Sequence, residues 1–154
     1  MTEIRYGLVE GPGKGKELPT AASQSFARRG GKFCYLVAGN VTLCATGSNR
    51  VSGWAETPKD AAGLNYWTSS SVAETDKVFV INGDPSNLFE VPVDEANASL
   101  AASWVGKGVG LVVTATTQKA KLGSATASPL SIVDVDTDNK TVRVRVKTTC
   151  YQAV

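Results

Sequence analysis

The chain has 154 residues, 42% of them hydrophobic and 19% charged, which suits one globular domain with a sizeable core rather than two. It contains no histidine, which excludes a histidine general base, phosphoryl acceptor or zinc ligand. Sixteen basic against fourteen acidic side chains leave a net charge of +2, too little for a nucleic-acid-binding domain by bulk charge.

That small excess is unevenly spread. Residues 1–33 carry Arg5, Lys14, Lys16, Arg28, Arg29 and Lys32 against Glu3, Glu10 and Glu17, a balance of +3, while the remainder sums to −1. Thr2-Glu3-Ile4-Arg5 follows Met1, and there is no apolar window of about twenty residues, so neither an export leader nor a membrane span is expected. Ile4, Tyr6 and Leu8 alternate with Glu3, Arg5 and Gly7, the period of a strand buried on one face. Ordering such a segment costs roughly 7–14 kcal/mol of backbone entropy, and burying its three apolar side chains returns roughly 5–9 kcal/mol. The strand therefore needs a partner edge. Residues 10–31 lack a sustained apolar period and are rich in Gly, Pro and small polar residues. The expectation is an extended arm, 1–31, ahead of a single β-rich domain, 32–154, that folds without it. Within the arm, Gly11-Pro12-Gly13-Lys14-Gly15-Lys16 resembles a phosphate loop only superficially. Glu17 stands where Ser or Thr belongs and Glu10 where the first glycine belongs.

Phe33–Ala38 and Val41–Ala45 flank Gly39-Asn40, which predicts a hairpin with those two residues as its loop. That register sets Leu36 opposite Leu43 and turns Cys34 and Cys44 to opposite faces, against a disulfide between them. Residues 47–75 form a long Gly-, Ser- and Thr-rich connection carrying Trp54, Tyr66 and Trp67. Aromatics so placed serve a core or subunit interface, or alternatively a platform for sugar rings or bases.

Val78–Ile81 reads as a short buried strand, and Leu88–Val93 as an extended segment that Pro92 pushes to a sheet edge. Asp94–Trp104 is predicted as one short helix, with Asp94 as N-cap and Ala96, Leu100 and Trp104 on one face. Strands resume at Val109–Ala115 and around Lys119 and Lys121. A last hairpin joins Leu130–Asp136 to Thr141–Val146 across Asp138-Asn139, setting Val135 opposite Val142, Val133 opposite Val144 and Asp134 opposite Arg143. The expected fold is mainly β, a small barrel or sandwich with one helix at about 94–104 and an extended N-terminal arm.

Chemistry-bearing patterns are sparse. Asp134, Asp136, Asp138 and Asn139 have the alternation that opens a calcium loop, but Arg145 stands where the closing glutamate belongs. Cys34, Cys44 and Cys150 lack the paired spacing of a zinc knuckle, and three thiols cannot all pair within one chain, so free thiols are expected. Without histidine, a cysteine nucleophile lacks its usual activator. The expectation is a binding or structural protein, not an enzyme, with no cofactor and no metal.

Asp76-Lys-Val-Phe-Val-Ile-Asn-Gly-Asp-Pro85, the Val91-Pro-Val-Asp-Glu95 segment and Ser131–Val146 together resemble the capsid decoration, or cement, proteins of tailed bacteriophage heads. The likeness covers about the C-terminal half and the style of the arm, and is one of pattern rather than of a diagnostic motif. It implies a virion protein on the outer surface of the head, made in the host cytoplasm. Its partner would be the major capsid protein, whose neighbouring subunits it clamps as a homo-oligomer, a trimer or otherwise a dimer, without nucleic acid or membrane. On this reading the interface residues are Ile4, Arg5, Tyr6, Leu8, Arg28, Arg29, Trp54, Tyr66 and Trp67, with the Ile4–Leu8 strand adding to an exposed sheet edge. The alternative reading is a carbohydrate- or receptor-binding module using Trp54, Tyr66 and Trp67. A third class, a single-strand nucleic-acid binder of barrel fold, would bind with strong salt dependence.

Overall fold

The computed structural model describes residues 6–56, 66–94, 99–123 and 127–153, and the Tyr66 side chain is not among what it describes. The chain is mainly β, as the periodicities predict. Its strands are β1 (Gly7–Glu10), β2 (Gly15–Pro19), β3 (Ser25–Ala27), β4 (Phe33–Val37), β5 (Asn40–Leu43), β6 (Gly53–Glu56) and β7 (Tyr66–Thr68) in the first half. The second half supplies β8 (Lys77–Asn82), β9 (Leu88–Asp94), β10 (Gly108–Thr114), β11 (Thr117–Lys121), β12 (Leu130–Asp136) and β13 (Thr141–Val146).

Five of these close a barrel in the order β9-β11-β10-β12-β13 and back to β9. All neighbours are antiparallel except β9 and β11, which run parallel. The sequence builds this ring from Val-rich segments whose inward residues, among them Val109, Leu111, Ala120, Leu130, Ile132, Val142, Val144 and Val146, are buried while Arg143 is exposed. A second sheet, β2-β8-β6-β4-β5, curls toward closure because Thr20, immediately after β2, bridges Val41 of β5. Cys34, Val41, Ala55, Val78 and Val80 share its inner face and pack with Phe26 of the two-stranded ribbon β3–β7.

The outer face of the second sheet packs on the barrel through aromatic side chains. Trp54 of β6 stacks on Phe89 of β9 with ring centroids 5.8 Å apart, and Phe33 of β4 meets both edge-on at 4.9 and 5.4 Å. All three are fully buried, and each is worth roughly 1.5–3 kcal/mol of burial plus about 0.5–1.5 kcal/mol for ring geometry. Beside them Gln118 of β11 is buried too, with its amide bonded to backbone groups of Phe33 and Cys44.

Several expectations need correcting. Pro92 does not force β9 to an edge; β9 pairs with three strands. On the β13 side the N–H of Val93 donates to Lys140 O at 3.0 Å, so the Pro92 nitrogen, one residue earlier, faces away from β13. On that other side β1 pairs only as far as Glu90 and β11 begins at Val93, so Pro92 occupies the interval where no ladder donor is required. The helix over 94–104 is not formed among the described residues. Asp94 ends β9, and only Ala102–Trp104 make a single 3-10 turn; Ala96 lies outside the described residues. The arm is extended, yet it is woven into the body: β1 pairs with β9, β2 with β8 and β3 with β7.

Both hairpins form, with altered registers. In the first, Val37 pairs with Asn40, so the loop is Ala38-Gly39 rather than Gly39-Asn40, and Leu36 faces Val41 instead of Leu43. Ala38 and Gly39 have φ of 48° and 81°, the two left-handed residues of a tight hairpin turn. A left-handed alanine costs about 1 kcal/mol. Ala38→Asn is therefore expected to raise the free energy of unfolding by about 0.5–1 kcal/mol in urea titrations, and an unchanged midpoint would refute the turn assignment.

In the second, Val135 faces Val142 and Asp134 faces Arg143 as predicted, but a bulge between Ile132 and Asp134 sets Ile132, not Val133, opposite Val144. Val133 is consequently 39% exposed and Ile132 only 2%. The turn is held by Asp136, whose carboxylate accepts from the backbone of Asn139 (2.9 Å) and Asp138 (3.1 Å) and from the Asn139 side chain (2.7 Å). Those bonds, chiefly from Asn139, hold its carboxyl below the usual range.

Candidate functional site

Where β9 passes from β1 to β11, an open cleft of about 570 Å³ lies over Pro92 and Val93. Tyr6, just before β1, and Arg29, just after β3, reach it from the N-terminal segment. Thr117 and Lys119 of β11 line it as well, with Asn139 and Lys140 from the β12–β13 turn and Asp94 from the end of β9. Strand alternation aims the β11 pair: Gln118 and Ala120 point inward and are fully buried, which leaves Thr117 and Lys119 half-buried on the other side. Arg29 is delivered by Gly30-Gly31, where the chain runs against β11. The Gly31 N–H donates to Gln118 O at 2.7 Å, and a Cβ on Gly31 would lie 2.6 Å from Gln118 Oε1, so that crossing tolerates no side chain.

The cleft is rich in donors. Arg29, Lys119 and Lys140 contribute positive charge against Asp94. Burial, opposed by Arg29 and reinforced by Glu90, pushes the Tyr6 phenol above its ordinary pKa, so at neutral pH it is an uncharged O–H donor. Glu90 itself lies 3.5 Å from Arg143 Nε and accepts from Thr141 Oγ1 at 3.2 Å.

Of the residues the sequence singles out, the structure brings Tyr6 and Arg29 together here. Ile4 and Arg5 lie outside the described residues. Leu8 pairs with Phe89 and packs on the barrel core, so the strand finds its partner edge within its own chain rather than on another subunit. Arg28 is exposed and does not line the cleft, and its carbonyl accepts from Lys32 Nζ at 3.5 Å. Trp54 and Trp67 do not share an exposed platform. Trp54 is fully buried, and half-buried Trp67 stacks on Phe26 with centroids 5.7 Å apart. Tyr66 pairs with Ala27 through β7.

Sequence reading missed Thr117, Lys119, Asn139 and Lys140 as site residues. The alternation of Lys119 and Lys121 was the only local signal, since the cleft gathers segments more than a hundred residues apart.

The other chemical candidates resolve into structural roles. A Cβ on Gly11 would lie 2.2 Å from Asn87 Oδ1 and one on Gly15 2.1 Å from Val80 O, so these glycines permit close chain crossings instead of cradling phosphate. Cys34, Cys44 and Cys150 are free thiols. Burial pushes Cys34 up to about 12 and Cys44 well above the ordinary thiol, which leaves both inert as nucleophiles. Lys32, 7% exposed, sits 5.7 Å over the Trp54 ring. Burial lowers its pKa and raises that of Glu56, each effect opposed by the other residue's charge. Among the described residues no group of three or more His, Cys, Asp or Glu is placed to hold a metal, and no helix is long and apolar enough to cross a membrane. Comparison of the chain with protein-family models, with curated proteins and with solved structures gives no match.

Proposed function

We propose that this chain is a structural virion protein that binds the outside of an icosahedral phage head as a homo-oligomer and stabilises it by holding neighbouring major capsid protein subunits. Two things support the reading: the likeness carried by residues 76–85, 91–95 and 131–146, and the form of the site. The observation that carries it is the cleft between docked strands, lined by donors and open to solvent. Such a shape suits gripping a segment of another protein better than enclosing a small molecule, which calls for a largely apolar, closed pocket. The grip is correspondingly assigned to the cleft and not to a free arm, because β1 is already docked on β9 of its own chain. Many copies on one shell would make modest single contacts collectively strong.

The test mixes the purified full chain with heads assembled from the major capsid protein of the same genome. Saturable co-sedimentation and a higher temperature of shell rupture are expected. Heads that sediment without it, at protein concentrations well above those of shell sites, would overturn the proposal.

A further inference from the structure

We infer that the cleft over Pro92 is a binding site for an extended acidic peptide segment, recognised through Arg29 and Lys119 with Tyr6 and Thr117 as neutral donors. The inference names the partner surface for the proposed adhesion and rests on that reading only for whose segment it is.

The geometry favours a carboxylate-bearing chain on three grounds. First, the donors differ in kind. A planar guanidinium, two ammonium groups and two hydroxyls line one open volume, and such a set satisfies carboxylate oxygens and peptide carbonyls together. Second, three of the lining side chains, Arg29, Lys119 and Lys140, are cationic against Asp94, although they come from distant parts of a chain whose net charge is only +2. Third, the floor is the stretch of β9 at Pro92 and Val93, both buried, so an occupant would lie along a strand without ordering a loop first.

A nucleic-acid backbone fits less well. Asp94 lies in the cleft, Glu90 stands close enough to act on Tyr6, and the adjoining turn carries Asp136 and Asp138. A strand bearing a charge on every phosphate would meet these carboxylates repeatedly. A peptide with spaced carboxylates can set them against Arg29 and Lys119 and place neutral backbone elsewhere.

The experiment uses the full chain and a fluorescein-labelled dodecapeptide of alternating Glu and Gly, read by polarisation at low salt. A Gln-Gly peptide of equal length and a twelve-nucleotide oligo-dT serve as comparisons. The acidic peptide is expected to bind, and to weaken as salt rises. Arg29→Gln and Lys119→Gln should each weaken it about fivefold, while Lys107→Gln, on Trp104 and outside the cleft, leaves it within about twofold. In the unmodified protein, peptide-induced amide shifts should centre on residues 117–119 and 139–140, which locates the site even if a variant misfolds. Absence of acidic-peptide binding, equal binding of the Gln-Gly peptide, tighter binding of oligo-dT, or shifts centred elsewhere would each overturn the inference. Because no shell is present, these outcomes are separate from shell decoration: the peptide assay and the head assay fail independently of each other.

Discussion

Gln118→Leu should lower the free energy of unfolding by about 3–5 kcal/mol, although the replacement is close in volume and more apolar. The Gln118 side chain is fully buried and has its bonds made: Nε2 donates to the carbonyl oxygens of Phe33 and Cys44, both at 3.0 Å, and Oε1 accepts from the Phe33 N–H at 2.9 Å. Those partners belong to β4 and to the end of the first hairpin, whereas Gln118 belongs to the barrel, so the three bonds join the two sheets through the core. Leucine fills the space and strands the buried Phe33 amide and Cys44 carbonyl without these partners, at about 1–3 kcal/mol each. Against a typical stability of about 5–15 kcal/mol, that is a large fraction. Urea titrations followed by tryptophan fluorescence report it directly, since Trp54 lies beside Phe33. A loss below about 1 kcal/mol would show that the clip is dispensable. Gln118→Glu serves as a second arm, because it keeps one acceptor and removes the amide donors.

No local pattern announces that clip. Gln118 sits between Thr117 and Lys119 in a polar stretch, and alternation alone places it inward without saying what it meets. What period-two patterning could report, it reported: the β class, the last hairpin's Val135–Val142 and Asp134–Arg143 pairs, and opposite faces for Cys34 and Cys44. Where it failed, a non-local partner decided the matter. Pro92 reads as an edge residue only when two continuous neighbours are assumed; here β1 and β11 share one side of β9 and leave an interval. Trp54 reads as a loop aromatic because its strand is short, but β6 is sandwiched between β4 and β8 with Phe89 above it. The 94–104 segment has helical spacing, yet Asp94 extends β9 alongside Lys121. The cleft was half legible for the same reason. Tyr6 and Arg29 stand out from a basic N-terminal stretch, whereas Lys119 and Asn139 become neighbours of theirs only through the closure of the barrel.

Removing residues 1–31 should abolish folding of the remainder, contrary to what a detachable arm implies. Strand β2 covers the edge of β8 along five residue pairs, Gly15 with Ile81 through Pro19 with Lys77. The chain just beyond it seals the opposite edge: Thr20 bridges Val41, the Ala21 N–H donates to Val41 O, and Gln24 Oε1 accepts from the Leu43 N–H. Phe26 is fully buried at the heart of the second core, where loss of a phenyl ring alone costs about 3–5 kcal/mol. Taken together with the uncovered apolar faces of Val78 and Val80, the deletion removes as much as a domain of this size has to lose, and it exposes two sheet edges to aggregation. The expected product is an insoluble or molten 32–154 chain with collapsed amide dispersion, and a synthetic 6–31 peptide added during refolding should restore dispersion by strand complementation. A cooperative unfolding transition in 32–154 alone would overturn this. The consequence for function is practical: loss of shell binding on truncation would report unfolding, so Arg29→Gln and Lys119→Gln, which leave both sheets intact, are the variants that separate gripping from folding.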